Sequence, residues 1–89
     1  MADLFHLNIS TPKTSVFDGD VQSIVAPAEM GYVGILANHA PFITTLGPGR
    51  IIIRDSAGKP EAYPSNSGGF LEILNNKATI LLDSIEDKA

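Results

Sequence analysis

Hydrophobic and polar residues alternate with a period of two along much of the chain, which is typical of β-strands that bury one face. The first example covers residues 4–10, where Phe5, Leu7 and Ile9 are predicted to share one face. Two segments near the C-terminus, residues 70–74 and 77–84, follow the same pattern. In the first of these, Leu71 and Ile73 are predicted to share one face of the strand. In the second, Ala78, Ile80 and Leu82 are predicted to share one face. No window of helix length shows an apolar stripe at the 3.6-residue period.

Turn residues divide the chain into many short segments, because Gly, Pro, Asn and Asp favour the backbone conformations of turns. The strongest signals lie at residues 11–14, 18–20, 47–49, 55–59 and 75–76. Gly58 is predicted to take the positive-φ position of a hairpin turn. Pro64 is predicted to confine residues 61–65 to a sheet edge. Together these signals predict an all-β domain, a flattened β-sandwich or barrel of about ten short strands.

The central run, residues 31–42, carries no charged side chain unless His39 is protonated. It is predicted to form a buried strand that ends in a turn before Pro41. Gly34 lies inside the strand and is predicted to mark a close approach of another backbone or of a partner. The run is therefore expected to be a stiff element suited to docking.

Composition limits the possible functions. The chain has 89 residues, enough for one domain, and its 44% hydrophobic content can form a core. There is no cysteine, which excludes disulfides and thiol chemistry. The net charge of −4 argues against binding to nucleic acid or to an anionic membrane. No apolar stretch approaches the ~20 residues of a membrane span, and the N-terminus lacks the features of a signal peptide. We therefore expect one small, acidic, soluble domain inside the cell.

The histidines are the first candidates for chemistry. His6 lies on the polar face of the first predicted strand, where a solvated surface position is expected. His39 has neither a neighbouring nucleophile nor further metal ligands at matching spacing. It is expected either to hydrogen-bond the backbone before Pro41 or to contact a partner.

Three other polar groups have two interpretations each. Asp18 and Asp20 flank a glycine, and this pattern is more typical of a turn than of a calcium loop. Residues 65–69 could cradle a phosphate, but they lack the Lys and following helix of a P-loop, so a tight chain reversal is favoured. Arg50 and Arg54 bracket three isoleucines and could face an acidic partner or simply solvent.

Several of these segments, taken together, resemble the N-terminal β-sandwich domain of the epsilon subunit of the F-type ATP synthase. The most specific is residues 31–44, GYVGILANHAPFIT, in which a Gly-x-hydrophobic-Gly-Ile start is followed by His-Ala-Pro. The remaining matches are FHLNI at 5–9, VFDG at 16–19 followed by Val21, PG at 48–49 and SGGFLE at 67–72. The resemblance covers nearly the whole chain.

This resemblance implies a rotor subunit at the foot of the central stalk, with no catalysis of its own. Ions such as protons crossing the membrane would turn the c-ring, and the domain would pass that rotation to the gamma subunit, which drives ATP synthesis on other subunits. The implied partners are gamma and the c-ring. No cofactor, metal, nucleic acid or direct membrane insertion is implied. The implied location is peripheral, on the cytoplasmic face of the inner cell membrane.

Motif position also assigns residues to the two partners by resemblance. The c-ring side would consist of Glu29, Met30, Gly31 and Tyr32. The gamma side would consist of Ser10, His39, Pro41, Phe42 and Thr44. Some relatives place an acidic residue where this chain has Tyr32. Such a stiff body with two docking surfaces agrees with the absence of visible catalytic residues.

The expected domain organisation also follows from the resemblance. Family members commonly continue into a C-terminal pair of helices, whereas this sequence stops at Ala89. The expected organisation is a β-sandwich over residues 1–85 and a polar tail over 86–89, without the helical pair. The alternative is a free-standing β-sandwich that binds a small ligand in a pocket lined by Ser67, Gly68 and Gly69.

Overall fold

A computed structural model describes residues 3–65 and 68–83, and within these ranges the regular secondary structure is entirely β. The eight strands are β1 (Phe5–Ser10), β2 (Ser15–Ala28), β3 (Gly31–Leu36), β4 (Phe42–Leu46), β5 (Gly49–Asp55), β6 (Pro60–Ser65), β7 (Gly69–Leu74) and β8 (Lys77–Leu82). The prediction of an all-β domain is confirmed, with eight described strands in place of about ten. The described residues include no helix long and apolar enough to cross a membrane.

Strand β2 is shared between two layers. Because it is one continuous strand across the predicted turn at residues 18–20, the structure has fewer strands than the sequence predicted. Its N-terminal half pairs with β1, and its C-terminal half pairs with β3 on the same side and with β5 on the other. The predicted turn at residues 18–20 is therefore wrong, because these residues continue the strand opposite His6, Leu7 and Asn8. The ladder to β1 outweighs the local preference of Asp-Gly-Asp for a turn.

The two layers follow from the strand order. One layer runs β1-β8-β7-β4, and the other runs β3-β2-β5-β6. β1 joins β2 along one side, and β4 touches the end of β2 where Ala28 pairs with Leu46. The β1–β8 pair is parallel, while the remaining described pairs are antiparallel. β2 thus links the two layers, through a ladder with β1 on one side and through the single Ala28–Leu46 pair on the other, while β3 and β6 remain at the edges of their layer.

The core lies between the layers and follows the predicted alternation. Its fifteen buried apolar side chains are Phe5, Leu7, Ile9, Val21, Ile24, Ala26, Ile35, Leu46, Ile51, Ile53, Leu71, Ile73, Ala78, Ile80 and Leu82. Every inward position predicted in the first, seventh and eighth strands is among them. Within the isoleucine triplet, Ile51 and Ile53 are buried while Ile52 points outward and is 40% exposed.

The turns largely agree with prediction. Residues 11–14 form a turn in which the amide of Thr11 donates to the carbonyl of Thr14. Gly58 has a φ of 85°, and Asn75 and Asn76 have φ values of 52° and 62°. Pro64 lies in β6, the last strand of its layer, as expected for an edge.

The central run differs from its prediction. Its residues 31–36 form β3 and its last residue, Phe42, begins β4, and within β3 only Ile35 is buried. The run is apolar but lies at the outside of the sandwich, since β3 pairs with β2 alone among the described strands. The predicted close approach at Gly34 is also absent within the described chain, because a Cβ built there meets no atom within 4 Å. This strand is therefore an exposed edge.

Candidate docking surfaces

The tip of the β2–β3 hairpin brings together the four residues predicted to face a c-ring. Met30 is 97% exposed, and Gly31 has a φ of 122° that favours glycine. The neighbouring side chains brace the tip. Glu29 Oε1 accepts a hydrogen bond from Thr45 Oγ1 at 3.0 Å, and Tyr32 Oη accepts one from the amide of Arg50 at 3.3 Å. The tip therefore projects Met30 from a supported base.

Glycine 49 allows this bracing. A Cβ built at Gly49 would lie 2.8 Å from Tyr32 Oη and 2.9 Å from the Cβ of Pro27. The phenol can therefore reach the start of β5 only because this position lacks a side chain. The amide of Gly47 also donates to the carbonyl of Pro27 at 2.8 Å, which ties the β4–β5 connection to the same hairpin.

The residues predicted to face gamma do not share a single exposed face. Along β4, Phe42 and Thr44 are half-buried and lie on the same side as the buried Leu46. The outward side of β4 instead carries Ile43, which is 67% exposed, and Thr45. Because side chains alternate between the two faces of a strand, Phe42 and Thr44 cannot lie on the same surface as Ile43 and Thr45.

His39 adopts the local role expected for it. Its Nδ1 donates to the carbonyl of Ala40 at 2.7 Å, and its ring meets that of Phe42 edge-on with 5.8 Å between centroids. These contacts orient the half-exposed imidazole beside the exposed Pro41. The described contacts of the His39 ring are thus with the Ala40 carbonyl and the Phe42 ring, and they leave part of the imidazole at the surface.

Sequence reasoning missed an apolar face on the outside of β4, β7 and β8. We define it as Ile43, Phe70, Leu74 and Leu81, whose exposed fractions are 67%, 52%, 47% and 50%. Cross-strand pairing assembles it, because Phe70 lies opposite both Thr45 of β4 and Leu81 of β8. Ser10 borders the apolar face, since it pairs with Leu81. The shared face of Phe70 and Leu74 was visible in the sequence, but the register to Ile43 and Leu81 was not.

Open depressions lie along the apolar face. One is lined by Pro41, Phe42, Ile43, Glu72, Ile73 and Leu74. Another is lined by Thr11, Pro12, Phe70, Leu81, Leu82 and Asp83. The carboxylate of Glu72 interrupts the apolar face, because Glu72 lies between Phe70 and Leu74 on the outward side of β7 and pairs with Ile43. Exposed apolar surface around such a polar group still marks interaction sites in proteins.

His6 is held between two carboxylates rather than freely solvated. Its Nε2 lies 2.6 Å from Asp18 Oδ1 and its Nδ1 lies 3.3 Å from Asp20 Oδ1, and the His6 side chain is 41% exposed. The three groups come from neighbouring strands β1 and β2. In the described part of the chain, no three His, Cys, Asp or Glu side chains are grouped to hold a metal ion. The contacts of His6 with Asp18 and Asp20 join β1 to β2 through their side chains.

The glycine pair after β6 serves close packing, as the chain-reversal interpretation predicts. Gly68 has a φ of 85°, and a Cβ built there would lie 2.7 Å from the carbonyl oxygen of Leu46. A Cβ on Gly69 would collide with the carbonyl of Leu81. Backbone thus occupies the space that the ligand-pocket alternative requires beside these glycines. Ser67, the remaining residue of the predicted ligand pocket, and the predicted tail at 86–89 lie outside the described residues.

The described residues form a β-sandwich domain with exposed apolar side chains on its outside. A family model described as the beta-sandwich domain of the ATP synthase Delta/Epsilon chain matches residues 4–88. The chain belongs to this family.

Curated relatives agree with the assignment. The ATP synthase epsilon chain of Dichelobacter nodosus is 43% identical over 83 residues, which are 93% of this chain and 57% of that protein. The ATP synthase epsilon chain of Desulfosudis oleivorans is 39% identical over 88 residues, 99% of this chain and 65% of that protein. The chain therefore spans about three fifths of the length of these relatives.

Solved structures share the fold. A chain in the structure of the Euglena gracilis mitochondrial ATP synthase, described as OSCP/F1/c-ring, aligns with a TM-score of 0.86 at 21% identity. This alignment covers 93% of this chain and 52% of that one. A chain in the central stalk/c-ring structure of the Tetrahymena thermophila mitochondrial ATP synthase aligns with a TM-score of 0.73 at 19% identity, covering 97% of this chain and 68% of that one.

Proposed function

We propose that this chain is a central-stalk subunit of an F-type ATP synthase that couples ion-driven rotation of the c-ring to the gamma subunit. It has no catalysis of its own, and ATP synthesis takes place on other subunits. Its place is peripheral, on the cytoplasmic face of the inner cell membrane. Family membership supports the proposal, and the observation that carries it is the apolar face on a stiff sandwich. Torque transfer requires such a body because a soft one would dissipate rotation as deformation.

The apolar face is the proposed seat of gamma. Its four large side chains remain about half exposed in the isolated domain, so covering them removes apolar surface from water at about 25 cal/mol per Å². Ser10 lies at one border of the face and Pro41 lines a depression beside Ile43. The proposed gamma surface thus keeps Ser10, His39 and Pro41 and replaces Phe42 and Thr44 by Ile43 and Phe70 as central contacts.

The hairpin tip is the proposed contact with the c-ring. Met30 is almost fully exposed and is supported by the bonds of Glu29 and Tyr32 to the neighbouring strands. A flexible, apolar methionine suits a sliding or adaptable contact with polar loops. The braced base suits a contact that must carry lateral force.

A binding assay with the gamma subunit of the same organism tests the proposal. Wild-type chain should form a one-to-one complex with gamma. Phe70→Asp should weaken it by at least about 30-fold, since loss of a central anchor costs about 2 kcal/mol or more. Ala57→Asp adds the same charge in the exposed β5–β6 turn and should leave the affinity unchanged. Circular dichroism should show native spectra for both variants.

The proposal would be contradicted by a folded wild-type chain that does not bind gamma and remains a monomer at high micromolar concentration. Equal affinities of Phe70→Asp and Ala57→Asp would instead remove the apolar face as the seat of gamma. The tip is tested separately with Met30→Asp, which should keep gamma binding and lose binding of the gamma complex to c-ring in detergent.

A further inference from the structure

The outer edge of β3 presents unpaired backbone groups in a fixed order. The carbonyl of Pro27 bonds to Gly47, on the side of β2 away from β3. The Pro27–Tyr32 pair is therefore a non-hydrogen-bonded pair of the β2–β3 ladder. By alternation, the amide and carbonyl groups of Tyr32, Gly34 and Leu36 point away from β2. No described strand pairs with them.

Strand β3 itself lacks two of the usual protections against strand pairing, and the charge beside its C-terminal end is that of Asp3, which lines a depression with Leu36 and Ala37. Residues 31–37 contain no charge and no proline. The opposite edge strand, β6, contains Pro60, Glu61 and Pro64. Proteins block edges with prolines, charges or bulges to prevent pairing with other chains. One edge of this layer is therefore blocked, and the other is open to an added strand.

The side chains along the open edge form a gap between two apolar flanks. Tyr32 is 59% exposed and Leu36 is 64% exposed, on the same face as Gly34. Gly34 has no side chain and no neighbour within 4 Å of a Cβ position. Its cross-strand neighbour Val25, 38% exposed, forms the floor beside the gap. The gap suits one large apolar side chain.

We infer that the β3 edge is a strand-docking site that takes an extended segment of the gamma subunit, with a large apolar side chain seated over Gly34. The hydrogen-bonding order requires extended backbone as the occupant. The inference rests on the proposed function, because β3 runs directly into residues 37–41, which include His39 and Pro41 of the proposed gamma surface.

Amide hydrogen exchange, measured residue by residue by NMR, tests the inference on the complex of the full chain with gamma. In the free chain, the amides of Tyr32, Gly34 and Leu36 should exchange faster than those of Val33 and Ile35, which bond to β2. Complex formation should slow the three outward amides at least tenfold. Gly34→Val should weaken gamma binding at least tenfold without lowering the unfolding midpoint. Gly47→Val is the matched control, because a Cβ at Gly47 also meets no atom within 4 Å.

The possible results distinguish failure of strand docking at β3 from failure of gamma binding as a whole. If the wild-type chain binds gamma while the outward amides keep their free-chain exchange rates, the strand-docking inference is overturned and the proposed function stands. If the wild-type chain does not bind gamma, both are overturned. Protection that grows with concentration of the chain alone would assign the edge to a second copy and overturn gamma as its occupant.

Discussion

Replacement of one glycine by alanine should have opposite effects at two positions of this domain. At Gly69, a Cβ would lie 2.9 Å from the carbonyl carbon of Leu81 and from the Cα of Leu82, and closer still to the carbonyl oxygen of Leu81. These are backbone atoms of the strand that pairs with β7, so relief requires β7 and β8 to separate. Overpacking of this kind costs about 1–3 kcal/mol, and a backbone collision lies at the upper end or beyond.

At Gly34 the same substitution meets open space. No atom lies within 4 Å of the added Cβ, and Gly34 is not among the positive-φ glycines. Alanine then restricts the unfolded chain and should stabilise the fold by about 0.4–1 kcal/mol. The two variants should therefore differ by about 3 kcal/mol or more in the free energy of unfolding. At about 4–8 °C per kcal/mol for a domain of this size, their melting temperatures should differ by more than about 10 °C.

Urea denaturation followed by circular dichroism measures the difference, with a common slope required for the comparison to hold. Wild type should lie between the two variants. A Gly69→Ala variant as stable as wild type would show that the β7–β8 backbones can move apart at little cost. A Gly34→Ala variant destabilised by more than about 1 kcal/mol would show that the β3 edge is packed against part of the chain.

Two further predictions concern a turn and a tyrosine. Asn76 Oδ1 accepts a hydrogen bond from the amide of Asn38 at 2.6 Å, and Asn76 Nδ2 donates one to the carbonyl of Leu4 at 3.2 Å. Glycine tolerates the φ of 62° at this position, so Asn76→Gly should lose only these bonds, lower the free energy of unfolding by about 1–2 kcal/mol and speed hydrogen exchange of the Asn38 amide. An unchanged urea midpoint would contradict this prediction. Burial, the hydrogen bond that Tyr63 donates to Glu61 and the Glu61 charge raise the pKa of Tyr63 to about 12. Because an unfolded tyrosine has a pKa of about 10, the contribution of Tyr63 to the free energy of unfolding is complete below pH 10 and is lost as the pH rises towards 12. Glu61→Gln should lower the ionisation midpoint of Tyr63. Tyrosinate absorbance measures this midpoint in a Tyr32→Phe background, where Tyr63 is the one remaining tyrosine.

Local periodicity was sufficient to predict most strands, because side chains alternate strictly between the faces of a pleated strand. The inward positions of β1, β7 and β8 were therefore readable without any tertiary information. Residues 18–20 show the limit of this reasoning. Asp-Gly-Asp favours a turn in isolation, yet the strand continues through it, since β1 supplies a ladder and His6 bridges the two aspartates. Pairing between distant segments decided the outcome.

The central run shows a second limit. An apolar segment must be covered, but the sequence does not say whether its own chain or a partner provides the cover. The run was predicted to be buried, whereas the structure leaves Tyr32 and Leu36 exposed at an edge. Likewise, the alternation in β7 placed Phe70 and Leu74 together but gave no sign of Ile43 as their neighbour. Such surfaces depend on strand register, which single-segment patterns do not contain.

The two proposed docking surfaces are mechanically linked by a short path through the fold. Thr45 bonds to Glu29 at the hairpin tip, and the same residue lies directly opposite Phe70 in the β4–β7 ladder. A lateral force on Met30 therefore reaches the apolar face through one side-chain hydrogen bond and one strand pair. Ala28 paired with Leu46 and Pro27 bonded to Gly47 hold the same junction through the backbone. Because these connections are arranged in parallel, loss of the Thr45–Glu29 bond alone should soften the link without separating the two surfaces.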